Sequence, residues 1–341
     1  MSSSPRIFVH GIGAVTPMGW GMPSFRTALQ NGHPPEKSVF ERPKTSAPLV
    51  GYRVPPSPTR PAFLGHPRLR RSGAISHFVV AAALEALGCP PLQSSPPRTQ
   101  VGIITCLTNG CVQYSSRFYN EVIRTPGAAS PLLFPETVFN APASHLGAYL
   151  GATTVNNSIV GSPGAYLHGL ALATQWLNEF PQMDGCIVVG AEETGWVTAE
   201  AFRLFSKSIC VSEGAGAVYL RREPSAIELK MITDSHSFFD RASQRRAARR
   251  MRESLGSPSE GLLCDSLTGH QLLDASERAA WMDWPGPRLS LKRQMGEAFA
   301  AAAAWQCVAA ADALQCRTAP SATVSVVSGF ENAIGARFTR T

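Results

Sequence analysis

The residue types that carry covalent and acid–base chemistry are few in this chain, and they are scattered. Eight cysteines occur, at Cys89, Cys106, Cys111, Cys186, Cys210, Cys264, Cys307 and Cys316. No two have C-x-x-C spacing, and no histidine joins them at zinc-ligand spacing, so the sequence offers no metal site and implies no cofactor. Most lie in apolar runs, where cysteine packs as a small hydrophobe; the compartment expected is reducing, hence cytoplasmic. Ser162 stands at a tight turn between a strand and a helix, where a serine is either a nucleophile or an N-cap for free backbone N–H groups. Val160 occupies the first glycine position of G-x-S-x-G, so that motif fails. His270 reads as a displaced base or as a structural loop histidine. His168 lies mid-helix beside apolar neighbours and reads as core or interface. Lys292 and Glu297 are a candidate pair, either a structural ion pair or catalytic groups. Gly11 and Gly13 mark a turn, and G-x-G alone does not specify a dinucleotide site.

The chain has 341 residues, 44% apolar and 16% charged, with a formal charge of +7. That is globular composition, long enough for one large domain or two fused halves. Much of the charge sits in two patches, His66–Arg71 and Arg241–Arg252. A basic helix face is either simply solvated or attracts an acidic partner. No aromatics interleave with these arginines and no nucleic-acid motif appears, so no nucleic-acid partner is expected. No apolar run reaches the ~18–20 residues of a membrane span, and Met1–Arg6 carries no secretory signal.

The elements that must position these groups read as alternating strands and helices. Strands are expected within 6–19 and over Val101–Cys106, Thr153–Val160, Cys186–Val189, Gly214–Leu220, Ile227–Ile232, Leu262–Leu267 and Thr323–Val327. Helices are expected near Phe25 and Leu29 and over Ser76–Leu87, Ala165–Asn178, Arg241–Leu255, Leu272–Trp281 and Phe299–Ala313. Nine prolines between Pro34 and Pro67 leave little room for regular structure there. The pattern predicts a layered α/β fold with largely parallel sheets, in two similar halves, about 1–223 and 224–341.

Four segments, in order, resemble the β-ketoacyl-[acyl carrier protein] synthases. Val9–Gly19 resembles their opening V-T-G-I-G-x-V-T-P-x-G, and Ser130–Gly151 the segment before their nucleophile strand. Gly190-Ala191-Glu192 resembles G-G-A-E, and Ser212–Ala217 contains their G-E-G-A-G pattern as E-G-A-G. The resemblance implies a thiolase-like fold: two βαβαβ-type halves, the first carrying the Pro-rich loop 34–73, in a five-layered α-β-α-β-α domain. It also implies a site built from a cysteine at a helix start and two histidines that stabilise an enolate.

Carried over, none of the three is present. The cysteine position falls on Gly161, or on Ser162 with a slip of one. The first histidine position is Ser266, followed by Thr268, a carrier-arm contact in the family, with His270 in place of a threonine and Asp274 and Glu277 at family spacing. The second is Glu297, with Lys292 and Gly296 retained. The final glycine-rich motif becomes Gly329-Phe330-Glu331. The resemblance places Asn109 at the far end of the acyl tunnel and Phe139 in the interface segment. It makes Asn109, Thr268, Lys292 and Phe330 the expected substrate contacts. The basic patch leaves open a further, non-enzymatic reading, a carrier-protein binder that uses Arg245, Arg246, Arg249 and Arg250 as its docking face. A chain so altered resembles the chain-length factors of fatty acid, polyene, aryl polyene and polyketide pathways. These are partners of an active ketosynthase in a heterodimer, although the sequence does not separate that from a homodimer. Two enzyme readings stay open: an acyltransferase or hydrolase using Ser162, and a stand-alone malonyl decarboxylase.

Overall fold

The computed structural model describes residues 6–42, 48–89, 100–151, 154–204, 206–256, 261–329 and 331–341. The first half supplies strands β1 (Phe8–Thr16), β2 (Val101–Leu107), β3 (Asn156–Val160), β4 (Gly185–Glu192) and β5 (Gly214–Arg221), in the spatial order β1-β5-β4-β2-β3. The second supplies β6 (Ile227–Ile232), β7 (Leu262–Asp265), β8 (Arg288–Ser290), β9 (Ser321–Val327) and β10 (Glu331–Arg340), in the order β6-β10-β9-β7-β8. The two permutations are the same. In each half the first strand runs antiparallel to the fifth, the fifth antiparallel to the fourth, and the fourth, second and third are parallel. The repeat, which has no clear counterpart in the residues, is explicit in topology. A single antiparallel pair, Phe8 with Glu228, joins the two sheets. Strands β2 and β4 are buried at every position, which is why they read as continuous apolar runs rather than alternating ones.

Nine helices are used below: α1 (Ala74–Ala86), α2 (Val112–Arg124), α3 (Ala141–Leu150), α4 (Ala165–Glu179), α5 (Trp196–Arg203), α6 (Arg241–Leu255), α7 (Ala275–Ala280), α8 (Leu291–Met295) and α9 (Phe299–Gln315). Helix α9 lies between the sheets, against β4 and β5 on one side and β7 and β9 on the other, with α4 beside it. Helices α1 and α6 cover the outer faces of the first and second sheets. The layers are therefore helix, sheet, helix, sheet, helix. A central helix this closely sandwiched needs small side chains, and alanine supplies them: Ala300 to Ala304 are all fully buried. The strand facing it must be small too. A Cβ at Gly190 would lie 2.4 Å from the Ala300 carbonyl oxygen and 2.8 Å from the Ala304 Cβ. Gly190→Ala is expected to destabilise the chain by about 1–3 kcal/mol, as overpacked cores do, measured as a lower urea midpoint at unchanged slope.

Four expectations are corrected. The Pro-rich stretch is not without regular structure: Ser38–Phe40 and Leu49–Tyr52 form an antiparallel pair, extended in parallel by Val211–Ser212. These strands fall between the prolines, where every backbone donor is present. The helix expected over Leu272–Trp281 is only Ala275–Ala280, because the Asp274 carboxylate is spent on the preceding loop. The strand expected to reach Leu267 stops at Asp265, where the chain turns into the cavity described below. The strand expected to begin at Thr153 is observed from Asn156; Thr153 itself lies outside the described residues.

Candidate functional site

A cavity of about 250 Å³ opens where the two halves meet. Its wall includes Thr108, Asn109, Pro163, Phe202, Ser266, Thr268, Asp274, Glu277, Lys292, Glu297, Phe299, Val327 and Gly329. Thus Ser266 and Glu297, two of the three positions carried over from the condensing enzymes, line one hollow with Asn109, Thr268 and Lys292. Phe330 lies outside the described residues.

Each group is held by a local device. Lys292 is in α8, which ends at Gly296 with φ +85°, a conformation in which a side chain is strained. A Cβ there would also meet the Cys210 carbonyl oxygen at 2.7 Å. The reversal brings Glu297 back beside Lys292, Nζ to Oε2 2.8 Å, with side chains only 3% and 6% exposed. The other carboxylate oxygen, Oε1, accepts from the Phe299 N–H at 2.7 Å. Phe299 itself is left-handed, φ +46°, and its ring packs edge-on against Phe202 at 5.5 Å. A non-glycine residue in this region costs on the order of 1 kcal/mol, and the carboxylate clamp holds it there.

Ser266 follows β7, and its hydroxyl donates to Glu277 Oε2 while accepting from the Val327 N–H at 3.0 Å. Glu277 also accepts from the Ser266 N–H and from Ser325 Oγ. Its carboxyl is fully enclosed, and burial pushes it well above the ordinary carboxylate range. Asp274 accepts from the Thr268 N–H and hydroxyl, both at 2.9 Å, and from the Gly269 N–H at 2.8 Å. Ser266 is therefore fixed in a hydrogen-bonded frame rather than opposed to a base.

The turn Gly161–Gly164 precedes α4. Gly161 has ordinary φ, and a Cβ there would meet only the Ala165 Cβ, at 3.5 Å. Sterics do not demand glycine at this position. Ser162 neither lines the cavity nor caps the helix: its hydroxyl donates to Asn332 Oδ1 at 3.1 Å, and α4 begins after Gly164 without a side-chain cap. This corrects the N-cap reading. The tie crosses from one half of the chain to the other, so Ser162 is a clasp between halves. It also leaves the hydroxyl without a base, because His168 Nε2 reaches only the far side of the same amide, 3.5 Å from Asn332 Nδ2. His270 accepts from the Leu273 N–H at 3.4 Å through Nδ1 and does not line the cavity. Among the described residues, no cysteine and no histidine lines it.

Sequence reasoning assigned no role to the buried glutamates behind the site. Glu192 Oε2 accepts from the Asn109 N–H at 3.0 Å and Oε1 from the Thr108 N–H, so it holds the cavity floor. Glu193 accepts from Gln113 and Ile75, and Glu213 from Thr194 and Val54. Burial pushes Glu192 up to about 8, Glu193 to about 7 and Glu213 to about 6, against the backbone N–H bonds that pull each one down. The signal was present in G-A-E-E, but the second glutamate has no partner in sequence.

These shifts set a sign for stability. Between about 4.5 and 8 the folded chain retains a proton on Glu192 that the unfolded chain has released. The contribution is fully present below about 4.5 and is lost as pH rises through 8. Stability is expected to fall from pH 5 to pH 9, and Glu192→Gln to flatten that slope, read from urea midpoints across the range.

No protein-family model and no curated protein matches the sequence. Solved structures do. The Burkholderia phymatum STM815 beta-ketoacyl synthase superposes with a TM-score of 0.79 at 14% identity, over 99% of this chain and 100% of its own. The chain has the ketosynthase fold. A chain of the ishigamide ketosynthase/chain length factor matches with a TM-score of 0.78 at 17% identity, over 98% of this chain and 99% of its own. A third match, at 0.75 and 14% identity over 99% and 100%, comes from a type II polyketide synthase acyl-carrier protein in complex with its ketosynthase bound to the hexaketide. The fold places the end of β2, the α4 turn, the β7 loop and the α8–α9 reversal around one hollow. No helix among the described residues is long and apolar enough to cross a membrane.

Proposed function

We propose that this chain is a non-condensing ketosynthase-like subunit that pairs with an active, cysteine-bearing ketosynthase in a fatty acid, polyene or polyketide pathway, in the manner of a chain-length factor. One observation carries the reading: among the described residues, the cavity that should hold a thiol and two imidazoles is lined by none. Capture of an acyl chain as a thioester has no atom to use there, and the Lys292–Glu297 pair fills the space with a neutralised couple.

The surface supplies the reason to expect a partner. Strand β3 ends the sheet order and has no neighbour beyond it among the described residues, with Val155 and Val160 42% and 49% exposed at its ends. Helix α2 buries none of its residues, and Tyr119, Ile123, Leu132 and Phe134 are each more than half exposed. An open strand edge and exposed apolar side chains are each templates for association. Phe139, expected at the interface, is 42% exposed and packs over Gly110, next to Asn109 in the cavity wall. The interface and the cavity floor are thus adjacent, which suits a subunit that shapes the far end of a shared tunnel.

Co-expression with a ketosynthase from the same biosynthetic cluster is expected to give a co-eluting one-to-one complex. Val160→Glu with Ile123→Glu is expected to abolish co-elution while the chain remains folded. Absence of any complex, with full activity of that synthase alone, contradicts the proposal.

A further inference from the structure

We propose that a second cavity of this chain, beside α1, is a binding site for a small primary amine with an apolar body. The cavity is about 550 Å³, larger than the one described above, and the two share no wall residue among those described. It lies between α1, the end of β1, the Trp20 turn and the Pro-rich stretch, on the outer side of the first sheet. The site is independent of the function proposed above. Cavities of this size, lined mainly by apolar and aromatic side chains with few polar groups, are the usual form of small-molecule sites. Val15, Trp20, Pro61, Phe63 and Leu84 supply the apolar wall, and Glu85 is the one charged side chain among the described lining residues.

Glu85 sets the chemistry. Its Oε2 accepts from the Ala14 N–H at 3.0 Å and its Oε1 from the Met22 N–H at 2.6 Å. Those bonds use two of the roughly four lone-pair sites of a carboxylate. No cation pairs with it among the described residues. Arg26, whose charge it feels, is bound instead to Asp312 through Nε and Nη2, at 2.9 and 2.7 Å. Burial pushes the Glu85 carboxyl up, against the pull of the two N–H bonds and of Arg26. A partly desolvated carboxylate without a counter-ion gains from an incoming cation. Trp20 narrows the kind of cation. Its indole N–H is spent on the Pro55 carbonyl at 2.8 Å, so a ligand meets its ring and not its donor. An aromatic wall beside a carboxylate suits an ammonium carried on an apolar body. A carboxylic acid or a phosphate would meet Glu85 with like charge. Cys89 is also in the wall, but burial pushes its thiol up, so it serves as wall and not as a nucleophile.

The probe is tryptamine, titrated into the full chain by isothermal titration calorimetry. Tryptophol, its uncharged hydroxyl isostere, and indolepropionic acid, its anionic counterpart, are titrated beside it. Tryptamine is expected to bind with a Kd on the order of 1 mM or tighter, as a ligand of its size allows. Both analogues are expected to bind at least about fivefold more weakly. Glu85→Gln is expected to weaken tryptamine at least about tenfold and to change tryptophol less than about twofold, a split that a loss of folding does not produce. Ala81→Phe, at a partly exposed helix position in the cavity wall, fills the space and is expected to abolish binding while the chain melts as the parent does. Absence of tryptamine binding would overturn the proposal. So would binding of either analogue as tightly as tryptamine, an equal loss of tryptamine and tryptophol in Glu85→Gln, or parent-like binding by Ala81→Phe.

Discussion

The purified chain, given an acyl thioester and a malonyl thioester, is expected to elongate neither, with turnover on the order of a million-fold or more below a condensing synthase. On the proposed reading three losses combine. Glycine at position 161 cannot form a thioester. Ser266, in the place of one imidazole, has its hydroxyl engaged by Glu277 and the Val327 N–H. Glu297, in the place of the other, is a carboxylate paired to Lys292, and a carboxylate cannot stabilise an enolate. Because the three groups act as a unit in condensation, restoring one is not expected to restore the reaction. Gly161→Cys is therefore expected to fold, since the site has room for a Cβ, and still not to condense. Product formation by the parent chain alone, followed by thioester chromatography, would contradict this.

The second large effect is on stability. Lys292 and Glu297 are almost wholly removed from water, and the carboxylate also accepts the Phe299 N–H. Removing either partner leaves a buried charge without its counter-ion, so Lys292→Met or Glu297→Leu is each expected to cost about 3–5 kcal/mol. The double variant removes both charges together and is expected to recover most of that cost, because replacing a buried pair by apolar groups of similar volume is close to neutral. Urea denaturation of the parent, both singles and the double closes the cycle. Additive losses would show that the pair is not coupled. Glu297→Leu carries a further cost that Lys292→Met does not, since it frees the left-handed Phe299 from its clamp.

The fold was legible because its signals are local. Apolar runs such as Val101–Leu107 and the alanine-rich Phe299–Gln315 announce a buried strand and a close-packed helix without reference to anything else. Strand β10 was missed because Asn332, Gly335 and Arg337 interrupt any alternation, and its pairing with β6 and β9 decides its state. Helix α2 was missed for the converse reason: its apolar face is real, but among the described residues nothing in the chain covers it. At the site, the resemblance to the ketoacyl synthases singled out Ser266, Thr268, Lys292 and Glu297, and the structure brings all four into one cavity. The sequence could not show that Ser162 spends its hydroxyl on Asn332, 170 positions away, because that contact exists only once the two halves meet. The buried glutamates were equally out of reach, since each bonds backbone N–H groups brought from distant segments.

Intact-protein mass spectrometry of the reconstituted pair, after loading with an acyl-carrier thioester, tests the central claim most directly. The predicted result is an acyl adduct on the ketosynthase alone, none on this chain, and product only when both subunits are present. An acyl adduct on this chain would contradict the account.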